Sequence, residues 1–162
     1  MKIISGILIG ISLLVLAGGV CHAAGSNTLT VSAVVISKSN CKFNTATSTL
    51  NFGNLDPLSS ADVTASTTTA FRCVGSSPIA TFFISQDFGA HKTGPGGNRM
   101  INTTYPVPPA YLPYSLTLNP SSGTVPKNST QTLTITGTVL ASDFQSAYVG
   151  NYSDTVILTI AP

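Results

Sequence analysis

Few side chains in this 162-residue chain could do chemistry: two histidines, five aspartates, no glutamate and three cysteines. His22 falls in the expected N-terminal leader or next to its cleavage site, which leaves His91, in the stretch DFGAHKTGPGG, as the imidazole available for acid–base work. A serine hydrolase arrangement would have to recruit Asp87 or Asp143, and no GxSxG elbow marks a nucleophile. Asp56, Asp62, Asp87, Asp143 and Asp154 are not spaced as a calcium loop. The Gly94–Gly97 cluster lacks the following Lys-Ser/Thr of a phosphate cradle. The expectation is a protein that is not an enzyme, with no metal, cofactor or small-molecule substrate. Tyr105, Tyr111 and Tyr114 could form a sugar-binding aromatic platform, although packing of the proline-rich stretch onto the body explains them more simply.

The cysteines carry the remaining chemistry. The chain starts with one lysine, an apolar run from Ile3 to Leu16 and then small residues. That is the grammar of a secretory signal peptide, expected to cover 1–24, and its core is too short to span a bilayer. Lipidation of Cys21 is the weaker reading, because Val20 stands where a small residue is expected. Cys41 and Cys73 then remain as an even pair in an exported chain, so a disulfide is the default over a metal or redox pair. Without Lys2 the seven basic residues fall to six against five aspartates, a balance that gives no footprint for nucleic acid.

The elements that must position these residues read as strands, with no convincing amphipathic helix. Thr, Val, Ile and Phe dominate the apolar positions between turn signals. Expected strands are Leu29–Ile36, Thr49–Phe52, Val63–Cys73, Ile79–Ser85, Leu112–Leu118, Thr130–Leu140 and Asp154–Ile160. Ile79–Ser85 is apolar on both faces, as a central strand would be. Pro113 marks an edge or a bend. Short strands at this spacing with one disulfide predict an all-β, immunoglobulin-like antiparallel sandwich.

Two segments do not fit a closed sandwich. Leu29, Val31, Ala33 and Val35 alternate with Thr30, Ser32 and Val34, and Val156, Leu158 and Ile160 form the apolar face of the last strand. Neither strand is charged apart from Asp154, whereas monomeric proteins blunt exposed edges with charge or proline. The expectation is a sandwich lacking its last strand, with a groove that a strand from another chain fills.

The same residues resemble the spore coat protein U-like domain, shared by pilin subunits of archaic chaperone–usher pili. The resemblance rests on the apolar strand before Cys41, Asn51-Phe52-Gly53 with Asp56-Pro57-Leu58, Cys73 after a Thr-rich strand, and Asn98-Arg99-Met100. Gly150-x-Tyr152-x-Asp154-Thr155-Val156 completes it. The resemblance implies a fibre subunit assembled by donor-strand exchange. A periplasmic chaperone, then an outer-membrane usher and neighbouring subunits, would be its partners, and the cell surface its destination, in adhesion or biofilm formation. On this chain 25–35 would be the donor extension, with Leu29, Val31, Ala33 and Val35 as teeth. The domain would be 36–162, with Val156, Leu158 and Ile160 in the acceptor groove. The rivals are a secreted coat domain or a sugar- or surface-binding module, and Leu29–Ile36 serving as the domain's own first strand.

Overall fold

Apolar and hydroxyl side chains alternate along the two longest strands. Val63–Gly75 (β2) buries Thr69, Phe71 and Cys73, and Thr130–Val139 (β7) buries Leu133, Ile135 and Val139. The strands pair antiparallel, with Val63 opposite Val139 and Thr69 opposite Leu133, so the apolar set shares one face. Hydroxyls line the other face, where Ser66 and Thr136 meet at 3.0 Å.

A computed structural model of the chain describes residues 29–34, 39–94 and 97–162. The expected signal peptide and Val35 lie outside them. Residues 29–33 belong to a separate N-terminal unit and form no strand there, and Leu29 and Val31 are each 82% exposed. The strand expected at Leu29–Ile36 is therefore not formed at 29–34. An extended stretch becomes a strand only through a ladder partner.

In the unit from Val34 to Pro162, Ser39–Phe43 (β1) precedes β2. Next come Ile79–Gln86 (β3), Asn98–Asn102 (β4), Tyr111–Asn119 (β5) and Ser122–Pro126 (β6), then β7. One short helical turn, Ala141–Phe144 (α1), leads to Tyr152–Ser153 (β8) and Leu158–Ala161 (β9). Among the described residues no helix is long and apolar enough to cross a membrane. The strands form an antiparallel sandwich of immunoglobulin-like type. One sheet has the order β1-β2-β7-β5-β4-β8 and the other β6-β3-β9. Phe71, Phe82, Ile84, Val125 and Leu133 fill the space between them, and a second cluster gathers Met100, Leu112, Val139 and Phe144. At the upper end of the sandwich β2 begins and β7 finishes. At the lower end β2 finishes and β1 begins, with Ser39 opposite Gly75.

Several details differ from expectation. β3 is the central strand of its sheet, but only its inner face is covered, and Ile79 and Phe83 remain 58% and 57% exposed. Pro113 lies in the part of β5 that pairs with β4 alone, where β7 makes no demand on its missing N–H. Thr49–Phe52 is not a strand. It lies over β7 through its side chains, because Gly137 leaves room: a Cβ there would come within 2.7 Å of the Phe52 ring and 3.0 Å of Leu50. Of the strand expected over Asp154–Ile160 only Leu158–Ile160 is formed, within β9; 154–157 is not a strand, and the short β8 precedes it.

Cys41 and Cys73 face each other across β1 and β2 and form a disulfide. The bond closes a loop of 32 residues. Replacing both cysteines by serine is expected to lower unfolding free energy by about 3–4 kcal/mol, the chain-entropy value for such a loop. Urea denaturation of the oxidised protein against the double variant measures it, and β1, which among the described residues pairs with β2 alone, should fray first.

Candidate functional site

The distinctive feature of the sandwich is the stretch 152–161, which runs from the upper to the lower end and crosses from one sheet to the other. β8 pairs with β4 in the larger sheet and β9 with β3 in the smaller. Between them 154–157 is held by the loop after β3. The Ala90 N–H donates to the Thr155 carbonyl at 3.1 Å and to Asp154 Oδ1 at 3.0 Å. The Asp87 N–H donates to the Ile157 carbonyl at 3.2 Å, while its own carboxylate accepts the N–H groups of Gly89 and Ile157. Those two backbone bonds hold the Asp87 carboxyl below the ordinary value of 3.8.

That register decides which backbone groups remain free. The pairing of Asp87 with Ile157 continues as Ser85 with Thr159 and Phe83 with Ala161. In an antiparallel ladder alternate residues direct both N–H and C=O at the same neighbour. Ile157, Thr159 and Ala161 thus face β3, and Val156, Leu158 and Ile160 direct theirs to the opposite edge. Among the described residues no strand pairs with that edge.

Beside the edge runs a groove of about 610 Å³. One wall is 152–158, the other is the stretch from Phe43 to Phe52, and Thr67, Leu116 and Ile135 lie on the floor. Of the three acceptor residues singled out in the sequence, Val156 and Leu158 line the groove. Ile160 lies outside the lining and packs on the main core. The hydroxyl-rich wall at Thr45–Thr49 and the side chain of Met100 were not legible beforehand. Nothing in the local pattern of 45–49 marks it, since the wall exists only through long-range packing, as where Thr45 meets Thr69 hydroxyl to hydroxyl at 3.1 Å.

The terminal motif that carried much of the sequence resemblance builds one wall of this site. Gly150, at φ +145°, lets the chain pass against the Asn102 amide, whose Nδ2 donates to the Val149 carbonyl at 3.2 Å. The Tyr152 hydroxyl donates to the Tyr148 carbonyl at 2.8 Å. Asp154 Oδ2 accepts the Tyr114 hydroxyl at 2.7 Å, and burial, reinforced by that bond, raises the Tyr114 pKa. Gly89 has no side chain because the Asp154 carboxylate occupies that place. Replacing Asp154 by alanine takes away the acceptor of the Tyr114 hydroxyl and one of the two acceptors of the Ala90 N–H, which keeps the Thr155 carbonyl. It is expected to cost about 1–3 kcal/mol of stability, the price of unsatisfied polar groups in a partly buried site. A lower urea midpoint at unchanged m-value would register it.

The histidine site does not assemble. The His91 carbonyl accepts a bond from Arg99, whose guanidinium stacks 3.8 Å over the Tyr111 ring, and the Asp87 carboxylate is occupied by backbone N–H groups. Among the described residues no cluster of His, Cys, Asp or Glu is arranged to hold a metal. Nor do the three tyrosines form a platform: Tyr114 is tied to Asp154, Tyr111 to Arg99, and Tyr105 sits apart at the upper end.

No curated protein matches the chain. The model of the Spore Coat Protein U domain matches residues 26–159, and domains of this kind are structural, pilin-like and associated with chaperone–usher pili. The match spans most of the 162 residues and takes in both walls of the groove, so the chain belongs to the Spore Coat Protein U domain family.

Proposed function

We propose that this protein is an exported structural subunit of a chaperone–usher surface fibre, polymerised by insertion of one copy's N-terminal segment into the groove of the next. The observation that carries the reading is the edge of Val156, Leu158 and Ile160, which no strand among the described residues pairs with, beside an open groove. A strand laid there gains backbone hydrogen bonds from the free edge and buries alternate side chains on the groove floor. Leu29, Val31, Ala33 and Val35 supply the matching alternation. Each Val- or Leu-sized tooth contributes about 1.5–3 kcal/mol on burial, before the cost of ordering the segment. A periplasmic chaperone would fill the same groove first, and an outer-membrane usher would exchange it for the next subunit. The donor segment is assigned to 25–35, following a signal peptide over 1–24.

Expression for export, with and without such a chaperone, tests this. Alone, the chain should be degraded or recovered as polymers. With the chaperone it should be recovered as a stable one-to-one complex. A chain that is a stable soluble monomer in both cases would rule the reading out.

A further inference from the structure

A second cleft, of about 330 Å³, opens at the upper end of the sandwich between the loops 103–110 and 145–150. Tyr105, Val107, Tyr148 and Val149 line it and stand 56%, 87%, 70% and 81% exposed. It adjoins the mouth of the groove, because Tyr152, which lines the groove, bonds through its hydroxyl to the carbonyl of Tyr148, which lines the cleft.

We propose that this cleft is a second docking site for the copy that donates its strand, and that it receives Val34 and Ile36 of that copy. The inference rests on the strand-exchange reading and follows from three observations.

The first is direction. The acceptor stretch 152–161 runs from upper to lower end, and each copy's β1 begins at the lower end. A donor strand parallel to this stretch would emerge at the acceptor's lower end and set lower end against lower end. Each copy would then need that one face for two neighbours, and the contact could not propagate. An antiparallel donor emerges at the upper end, so each upper end meets the next copy's lower end.

The second is reach. From Val35 to Ser39 the chain spans at most about 14 Å at 3.3–3.6 Å per residue. The segment leaving the groove must therefore pass directly over the upper end, where the cleft lies.

The third is the face of the donor that points away from the groove. It reads Thr30, Ser32, Val34, Ile36: polar where the strand lies deep along the sandwich, apolar where it emerges. Val34 is 91% exposed in the single chain. An outward face exposed to water along its whole length has no reason to turn apolar at that end, whereas an apolar cleft at the mouth supplies one.

Cysteine cross-linking of full-length chains isolated as polymer tests the assignment. One chain carries Val31→Cys and Leu158→Cys and reports the groove, and a second carries Ile36→Cys and Val149→Cys and reports the cleft. A third, with Val34→Cys and Tyr148→Cys, covers a shift of register. Under mild oxidation the groove chain and at least one cleft chain should give ladders of covalent multimers on non-reducing gels. Ladders from the groove chain alone would overturn the cleft assignment and leave strand exchange standing. Cleft ladders without groove ladders, or no polymer from any chain, would overturn strand exchange and this inference with it.

Discussion

Val156→Asp is expected to abolish assembly while leaving the sandwich folded. Val156 lines the groove but belongs to neither buried cluster, so in the unfilled protein a carboxylate at this position remains in water. Once a donor strand covers the groove, the same carboxylate is enclosed beside apolar teeth, with Asp154 two residues away adding like charge. Loss of one Val-sized contact removes about 1.5–3 kcal/mol. Burying an unpaired charge costs several kcal/mol more, and every 1.4 kcal/mol is about tenfold in the equilibrium. Association should therefore fall by at least about a thousandfold, read as loss of polymer and of chaperone complex alike. Thr159→Asp is the control: its side chain is exposed and outside the groove lining, and its backbone faces β3 opposite Ser85. It should polymerise nearly as the parent does. If Val156→Asp polymerised like Thr159→Asp, the groove would not be the joint.

What the sequence discloses about such a site is uneven, for physical reasons. β2 and β7 are long, and their alternation is enforced by burial on one face, so the pattern of Leu133, Ile135 and Val139 survives in the letters. β1, Ser39–Phe43, has no such pattern. It holds a lysine and two polar residues, and it is a strand because Cys41 lies opposite Cys73. β4 and β6 are five residues each, and β6 falls where Asn119–Gly123 reads as a turn. The inner wall at 45–52 is coil whose position depends on Gly137, far away in the chain. The terminal motif was legible as a likeness before it had a mechanism. Its mechanism needs Tyr114, Ala90 and Asn102, none of which is near it in sequence. Short-range alternation writes itself into a sequence, whereas the clasp that holds 154–157 at the groove is made of single contacts between distant loops.

The groove and the segment proposed to fill it can be disabled separately. A chain lacking Gly25–Ala33 keeps the edge at Val156–Ile160 and the groove floor intact, so its chaperone complex should form as the parent's does. It has lost three of the four teeth, Leu29, Val31 and Ala33, and the strand length that would form the ladder. With about 1.5–3 kcal/mol gone for each of the larger teeth, besides the ladder, it should add to no other copy. Val156→Asp has the reverse defect: it can donate but not accept. Mixed, with the truncated chain released from its chaperone and the Val156→Asp chain refolded without one, the two should therefore form one-to-one pairs and nothing longer. The truncated chain accepts a strand it cannot repay, and the groove of the Val156→Asp chain stays empty. Native mass spectrometry distinguishes the outcomes directly. Higher multimers in the mixture would mean that some other contact joins the subunits, and persistent monomers would mean that Gly25–Ala33 and the groove at Val156 are not partners.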